Sequence, residues 1–286
     1  MTFHTLNHVS LTMNTHHFHL AMLPIEEVFL HEETDIFRVA KLKKRIETSG
    51  ILRNPPIVAN MDSGYVVLDG ATRTTSLKEI GASHILAQVV HYGKDGIDVE
   101  TWNHILPDMS DTDIIQTIGS LQGLRLTETN HQQADDLLLK RQIAGYIYCS
   151  PSTSMIIETD TALGPMTSLL RTIVATYKKH GEIYRLAQND LEQIIAKRTE
   201  HSAVMVFPRF TPDEIRTIAQ SEQKLPAGIT RHIIPGRVLN VNIPLDWLIG
   251  AGTTAEKTQW LDAWLSAKIV DSKVRYYHEP VFIFDE

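Results

Sequence analysis

The chain has 286 residues, 43% hydrophobic and 21% charged, a composition that is typical of globular proteins and excludes a disordered or fibrous chain. Its 27 Lys and Arg residues and 34 Asp and Glu residues give a net charge of −7, which disfavours a general nucleic-acid binder. The single cysteine, Cys149, excludes intramolecular disulfides and thiolate zinc clusters. No apolar run approaches the roughly 18 residues that span a bilayer, so we expect a cytoplasmic protein without membrane contact.

Residues 1–22 are predicted to be a polar N-terminal segment. Five of the fourteen histidines fall within it, at His4, His8, His16, His17 and His19. Their spacing matches no metal-ligand template, and no cysteine or carboxylate joins them. We therefore expect a mobile polar terminus rather than a metal site.

Residues 23–107 are predicted to form a compact domain of short strands and helices. An extended segment runs from Leu23 to Leu30, and Asp35 is the predicted N-cap of a helix that passes through Ile46 and ends at Gly50. The other predicted elements are strands at 55–59, 65–68 and 85–90, a helix at 71–80 that Gly81 closes, and an extended piece around 99–102.

Residues 108–286 are predicted to form a second lobe of helices and strands. The predicted helices are 112–121, 133–141, 166–179, 190–198, 212–221 and 254–268. The predicted strands are 143–148 and 155–158, which form a hairpin, and 203–207, 238–243 and 274–284. The stretch 250–255 spells GxGxxA, but too little sequence follows for a mononucleotide-binding unit, so we interpret it as a helix-start loop. No low-complexity linker separates the lobes, so we expect them to share an interface.

The stretch Tyr65–Thr75 leads a predicted strand directly into a helix through Gly70. Such a junction exposes backbone N–H groups at the positive end of a helix dipole, which favours anions. Arg73 could add a charge-assisted pair to a phosphate, and Thr72 and Thr74 offer hydroxyl donors. An Asp-Gly turn with a threonine cap and a solvated arginine explains the same pattern equally well. The stretch lacks GxxxxGK[ST] and is not a P-loop.

Two short polar motifs are further candidates. In His31–Glu33, a carboxylate near a phosphate site could act as a general base, although acidic residues at a helix start usually complement the helix dipole. In Thr230–His232, a hydroxyl, a guanidinium and an imidazole could hold a carboxylate or phosphate, although such triplets are common on surface turns. The residues alone leave both alternatives open.

Together these motifs resemble the ParB/sulfiredoxin-like fold and, within it, the free-serine kinases, which include archaeal enzymes and the SbnI-type enzyme of staphyloferrin B biosynthesis. The motifs that carry the resemblance are His31-Glu32, Gly50-Ile51-Leu52 with Pro55-Pro56-Ile57, Tyr65 to Leu68, Asp69-Gly70-x-x-Arg73, Leu77 to Gly81, Val99-x-Thr101-Trp102 and Thr230 to Pro235. The resemblance implies an α+β fold. Residues 23–107 would be a ParB/sulfiredoxin-like nucleotide-binding domain, and 108–286 an α/β lobe that contributes substrate residues.

The resemblance also implies an activity: transfer of a phosphoryl group from ATP or ADP, with Mg²⁺, to free L-serine, giving O-phospho-L-serine. It implies that Glu32 is the base that accepts the serine hydroxyl proton and that Asp69 assists at the same centre. The implied nucleotide-binding residues are Gly70, Ala71, Thr72, Arg73 and Thr74. The implied residues for the amino acid and its developing phosphate are Trp102, Thr230, Arg231 and His232.

Departures from the related families narrow this expectation. Ala71 and Thr72 stand where the archaeal kinases have two histidines, which puts the chain nearer the SbnI-type branch and leaves the donor open between ATP and ADP. Sulfiredoxins have their catalytic cysteine at the position of Ala71, so sulfiredoxin activity is excluded. ParB partition proteins need a helix-turn-helix after this domain, and residues 107–165 contain no convincing one.

The alternative function is a ParB-like nucleotide-binding regulator of transcription or partition that does not turn over. A base together with a serine pocket favours the kinase, because a binding module has no need of a base. The sequence leaves open whether phosphoserine would feed siderophore-precursor or cysteine biosynthesis. The aromatic C-terminal helix could serve a homodimer contact.

Overall fold

The computed structural model describes residues 9–13, 16–187 and 202–277. Its strands are β1 (Val9–Met13), β2 (His16–Pro24), β3 (Val28–Leu30), β4 (Ile51–Leu52), β5 (Ile57–Asn60), β6 (Tyr65–Asp69), β7 (His84–Val90), β8 (Asp98–Leu106), β9 (Arg125–Thr129), β10 (Gly145–Ser150), β11 (Thr153–Glu158), β12 (Tyr184–Ala187), β13 (Ala203–Val206), β14 (Thr230–Ile233) and β15 (Ile243–Pro244). Its helices are α1 (Ile36–Ser49), α2 (Ala71–Ile80), α3 (Asp111–Gly119), α4 (His131–Leu139), α5 (Leu163–Tyr177), α6 (Pro212–Gln220), α7 (Leu245–Ile249) and α8 (Thr254–Val270). This mixture confirms the predicted α+β class.

The first sheet is mixed and has the strand order β1-β2-β7-β5-β6-β3. The β3–β6 and β5–β7 pairs are parallel, and the other neighbours are antiparallel. Strand β2 pairs with β7 from Leu20 to Pro24, and Leu20 to Leu23 are buried. The prediction that residues 1–22 form a mobile polar terminus is wrong for residues 9–13 and 16–22, which belong to the β1–β2 hairpin. The sequence signal is weak there, because histidines precede the short apolar run that the sheet buries.

Helices α1 and α2 pack against each other beside this sheet, and their ends follow the sequence signals. The Asp35 carboxylate caps α1 by accepting hydrogen bonds from the N–H groups of Phe37 at 3.0 Å and Arg38 at 3.2 Å. Gly50 ends the helix with a φ of 65°, in the left-handed region. The predicted bounds of α1 and α2 are confirmed.

The second sheet has the order β12-β8-β13-β10-β11-β9, with β14 paired to β8, and all its neighbouring strands are antiparallel. The predicted β10–β11 hairpin is confirmed. Strand β8, which the sequence analysis grouped with the first sheet, belongs to this one, because apolar alternation identifies a strand but not its neighbours.

Three predictions after residue 187 are wrong or fall, wholly or partly, outside the described residues. The predicted strand 238–243 is wrong: only its last residue pairs, because Asn240 and Asn242 have left-handed φ values of 55° that break an extended run. The predicted strand 274–284 has no regular structure in residues 274–277, and its remainder lies outside the described residues. The predicted helix 190–198 also lies outside them.

A continuous core joins the two sheets. Val66 and Leu68 of β6 pack in one apolar cluster with Ile147 of β10 and Ile218 of α6. The chain then returns to the first sheet, where Leu261 and Leu265 of α8 pack in a cluster with Leu20 and Leu86. The two sheets therefore share an interface, as predicted. No helix in the described part of the chain combines the length and apolarity that a bilayer crossing requires.

Candidate active site

A cleft of about 2140 Å³ opens between the first sheet, with α1 and the start of α2, and the β12 edge of the second sheet, with α5. Eight of the sequence-predicted site residues line it: Glu32, Asp69, Gly70, Ala71, Thr72, Arg73, Trp102 and Thr230. The other three, Thr74, Arg231 and His232, do not line it. The fold therefore brings motifs that are about 200 residues apart in sequence to one cavity.

Glu32 follows β3 and is held by the backbone that leads into β14. Its Oε1 accepts hydrogen bonds from Ile229 N at 3.1 Å, Thr230 N at 2.7 Å and Thr230 Oγ1 at 2.6 Å. Its Oε2 accepts one, from Gly228 N at 2.8 Å. Because a carboxylate oxygen has two lone pairs, Oε2 retains capacity for a substrate hydroxyl. The carboxylate is thus fixed in orientation, and Oε2 accepts fewer hydrogen bonds than Oε1.

The backbone on either side of Glu32 is also fixed. Glu33 N donates to Leu225 O at 2.7 Å, and Leu225 N donates to His31 O at 2.9 Å. This short bridge ties the end of β3 to the segment that precedes β14. The positions of the carboxylate and of its donors are therefore set by the same backbone contact.

The buried His31 ring lies directly beside this carboxylate. Its Nδ1 is 2.8 Å from Val67 O of β6, and its Nε2 is 2.7 Å from Thr230 Oγ1. Burial lowers the pKa of His31, and the charge of Glu32 opposes this shift only partly. The imidazole is therefore neutral at pH 7.

Asp69 ends β6 and is bound by two guanidinium groups. Its Oδ2 accepts from Arg73 Nη2 at 3.1 Å and from Arg237 Nη1 at 2.6 Å. Burial alone would raise the pKa of Asp69, but the two arginines outweigh it and hold the pKa below its ordinary value. Arg237 was missed in the sequence analysis, because it lies 168 residues after Asp69 in an irregular segment without a motif.

The start of α2 requires glycine at position 70. Gly70 has a φ of 98°, and a Cβ there would come within 3.0 Å of the Arg73 guanidinium and of Pro56 Cα. Arg73 is further held by its Nη1, which donates to the carbonyls of Asn54 at 3.2 Å and Pro55 at 2.8 Å. Thr74 is buried, and its hydroxyl donates to Gly70 O at 3.2 Å. The first turn of α2 thus lines the cleft, and its arginine is fixed.

The other predicted substrate residues are Trp102, Arg231 and His232. The Arg231 guanidinium lies 4.6 Å from the Trp102 ring centroid and donates to Glu100 Oε2 at 3.0 Å. His232 is buried, with Nε2 2.8 Å from the Tyr92 hydroxyl, and burial lowers its pKa to about 3. Of these groups only Trp102 lines the cleft.

The cleft is positively charged although the chain is acidic. Its lining contains five acidic residues and ten basic ones, the latter being Arg38, Lys41, Arg45, Arg53, Arg73, Arg171, Lys178, Lys179, Arg185 and Arg237. Arg38, Lys41 and Arg45 share one face of α1, and their i, i+3, i+7 spacing is the signal by which sequence analysis could have found them. A cavity of this charge favours a polyanionic ligand.

Arg185 of β12 is a second cation that the sequence analysis missed. Its guanidinium lies so close to Gly228 that a Cβ at that glycine would overlap it. Its Nη2 is 3.4 Å from Ala227 O. Burial lowers the pKa of Arg185, and the charge of Glu32 opposes this shift only partly. Arg185 therefore faces the loop that holds the Glu32 carboxylate.

Comparisons with known proteins show what the chain is similar to. No protein-family model matches the chain. The chain is 28% identical over 276 residues to the ATP-dependent L-serine kinase SbnI of Staphylococcus aureus, covering 96% of this chain and 100% of that protein. It is 23% identical over 238 residues to the ATP-dependent L-serine kinase of Staphylothermus marinus, covering 81% and 92%.

Solved structures give the same result. C-terminally truncated SbnI from Staphylococcus aureus has a TM-score of 0.72 at 25% identity, covering 87% of this chain and 97% of that one. A free serine kinase in complex with AMP has a TM-score of 0.67 at 18% identity, covering 80% and 93%, and shares the fold. The predicted resemblance to the free-serine kinases is confirmed.

Proposed function

We propose that this chain is a kinase that transfers the γ-phosphoryl group of ATP to the hydroxyl of free L-serine and releases O-phospho-L-serine. The observation that carries the proposal is the fixed Glu32 carboxylate, with Oε2 open to a hydroxyl donor, in a cleft lined by cations. The names of both curated relatives, ATP-dependent L-serine kinases, support serine as acceptor and ATP as donor.

In the proposed reaction, the serine oxygen forms a bond to the γ-phosphorus while the bond to the β,γ-bridging oxygen breaks. The serine hydroxyl proton moves to Glu32 Oε2. Phosphoryl transfer depends mainly on positioning and on offsetting the charge of the phosphoryl oxygens. The N–H groups at the start of α2, with Arg73 and Arg185, would supply that positive charge, and Trp102 would form a wall of the amino-acid subsite.

Mg²⁺ is implied by the resemblance, and the side chains fit an ion that arrives with the nucleotide. Glu32 and Asp69 already accept hydrogen bonds from the protein, and no group of three or more His, Cys, Asp or Glu side chains that could hold a metal ion occurs among the described residues. Mg²⁺ commonly keeps several waters and binds through substrate phosphates. Besides water, the nucleotide phosphates would therefore supply most of the ligands of the ion, and the ion would offset the charge of the phosphates.

The direct test is phosphorus-31 NMR of purified protein with Mg²⁺, L-serine and ATP. We expect an O-phosphoserine resonance, and we expect Glu32→Gln to lower turnover by about two to four orders of magnitude while nucleotide still binds. A parallel reaction with ADP identifies the donor. If nucleotide binds and neither donor yields product, the kinase proposal is wrong and a nucleotide-binding regulator replaces it.

The product would enter siderophore-precursor or cysteine biosynthesis. Growth of a deletion strain separates the two: a defect only under iron limitation supports the siderophore route, and cysteine auxotrophy supports the other. Rescue of either defect by supplied O-phosphoserine would link it to this reaction.

A further inference from the structure

The hydroxyl of Thr230 lies between two hydrogen-bond acceptors. Its Oγ1 is 2.6 Å from Glu32 Oε1 and 2.7 Å from His31 Nε2. On the other side of the imidazole, Nδ1 is 2.8 Å from Val67 O, a carbonyl that can only accept. His31 must therefore carry its proton on Nδ1, which leaves a lone pair on Nε2 in the neutral ring.

The two short contacts of the Thr230 hydroxyl compete for its single proton. The hydroxyl has one proton, and both His31 Nε2 and an ionised Glu32 Oε1 can accept it. A hydrogen bond to a charged acceptor is about twice as strong as one between neutral groups, so the proton points to Glu32 while that carboxylate is ionised. Nε2 is then left without a donor from Thr230.

We propose that His31 is a positioning residue that competes with Glu32 for the Thr230 hydroxyl proton, and thereby sets how readily Glu32 accepts the proton of the substrate hydroxyl. This proposal rests on the proposed function. When the O–H bond of serine breaks and an O–H bond forms at Oε2, Glu32 loses its charge. The Thr230 hydroxyl then turns to Nε2, so the protonated state gains the hydrogen bond that the ionised state lacks.

Burial and the Lys224 ammonium favour this neutral, accepting state of His31, because both lower its pKa. The charge of Glu32 acts in the opposite direction and offsets them only partly. The Lys224 ammonium is itself bonded to carbonyls at the end of α6. The ring of His232, 5.5 Å from that of His31 between centroids, is neutral because burial lowers its pKa to about 3.

The test compares pH profiles of kcat/KM for variants that remove each partner. In His31→Asn, the shorter amide can still donate to Val67 O but no longer reaches Thr230. The Thr230 hydroxyl therefore keeps its hydrogen bond to Glu32. We expect the acidic limb to move to lower pH by about half a unit to one unit. Thr230→Val removes the donor to the carboxylate and should move the limb to higher pH by a similar amount.

The double variant separates this role from a merely structural one. Adding His31→Asn to Thr230→Val should leave the limb where Thr230→Val alone puts it, because His31 acts only through the hydroxyl. Two conservative variants should keep most of the wild-type pH profile. His31→Gln keeps a polar group opposite Thr230, and Thr230→Ser keeps the hydroxyl. Shifts of the same sign in His31→Asn and Thr230→Val would overturn the proposal.

A measurement without turnover keeps this proposal distinct from the proposed function. Nitrogen-15 NMR of His31 should report the Nδ1–H tautomer at pH 7, and Glu32→Gln should shift the Nε2 resonance as the Thr230 proton turns towards it. A proton found on Nε2 would overturn the competition even if the protein phosphorylates serine. Absence of phosphoserine with the predicted tautomer present would overturn only the proposed function.

Discussion

Asp69 is a carboxylate whose place in the cleft depends on two arginines. Arg73 belongs to the same strand-to-helix junction, whereas Arg237 comes from the irregular segment after β14. Together they hold the pKa of Asp69 below its ordinary value. The pairing joins the start of α2 to a distant part of the chain, so it contributes to stability as well as to the charge of the site.

Because the pKa of Asp69 is lower in the folded protein, its ion pairs stabilise the fold above the unfolded pKa of about 3.9 and are lost as the pH falls through the folded value. We expect Arg237→Gln to lower the free energy of unfolding at pH 7 and to have a smaller effect at pH 3. Urea unfolding at both pH values measures this. In an Asp69→Asn background the same substitution should lose its pH dependence. An effect of equal size at both pH values in the wild-type background would contradict the ion-pair explanation.

Helix α2 is the element whose sequence signals were most complete. Glycines stand at both of its ends with left-handed φ values, 98° at Gly70 and 84° at Gly81. This explains why its predicted bounds, 71–80, are confirmed. The two glycines differ in their surroundings, since a Cβ at position 81 would meet nothing within 4 Å.

This difference provides a matched pair of variants. Gly81→Ala should cost about 1–2 kcal/mol of stability from backbone strain alone and leave nucleotide affinity unchanged. Gly70→Ala should cost more, because its Cβ also crowds Pro56 and the Arg73 guanidinium, and it should weaken nucleotide binding. Urea unfolding and calorimetric titration with ATP measure the two effects. Equal losses of affinity in both variants would show that Gly70 has no special role at the cleft.

Other elements lacked such signals. The prediction of a strand at 238–243 is wrong because two asparagines have a left-handed backbone conformation. Asparagine permits this conformation, but its presence in the sequence does not predict it. The apolar pattern of β8 was recognised, but its pairing with β14 was not, and this pairing sets Thr230 opposite Thr101. Sequence periodicity describes one element at a time, whereas the neighbours of a strand depend on contacts that are distant in sequence.

Over the whole molecule, motifs that are compact in sequence were predictable, and contacts between distant segments were not. The motifs around Glu32, Gly70 and Thr230 were visible because each is compact in sequence. The cations of the cleft come from several elements that are distant in sequence, so no local window contains them all. Likewise, the Lys178 ammonium binds Asp35 Oδ2 at 2.8 Å and so joins the end of α5 to the start of α1. The charge of the cavity is therefore a property of the fold, and the net charge of −7 does not reveal it.

If this charge attracts the nucleotide phosphates, a single cation on the cleft face of α1 should contribute to affinity through long-range attraction. We expect Lys41→Gln to weaken ATP binding about two- to fivefold, as for exposed charge pairs worth up to about 1 kcal/mol, and to reduce its salt dependence. Lys44→Gln is the matched control, because Lys44 is an exposed lysine of the same helix that does not line the cleft. Calorimetric titration with ATP and with adenosine at low and high salt separates the phosphate contribution from that of the base. Equal effects of the two substitutions, or equal salt dependence for ATP and adenosine, would contradict electrostatic capture by the cleft.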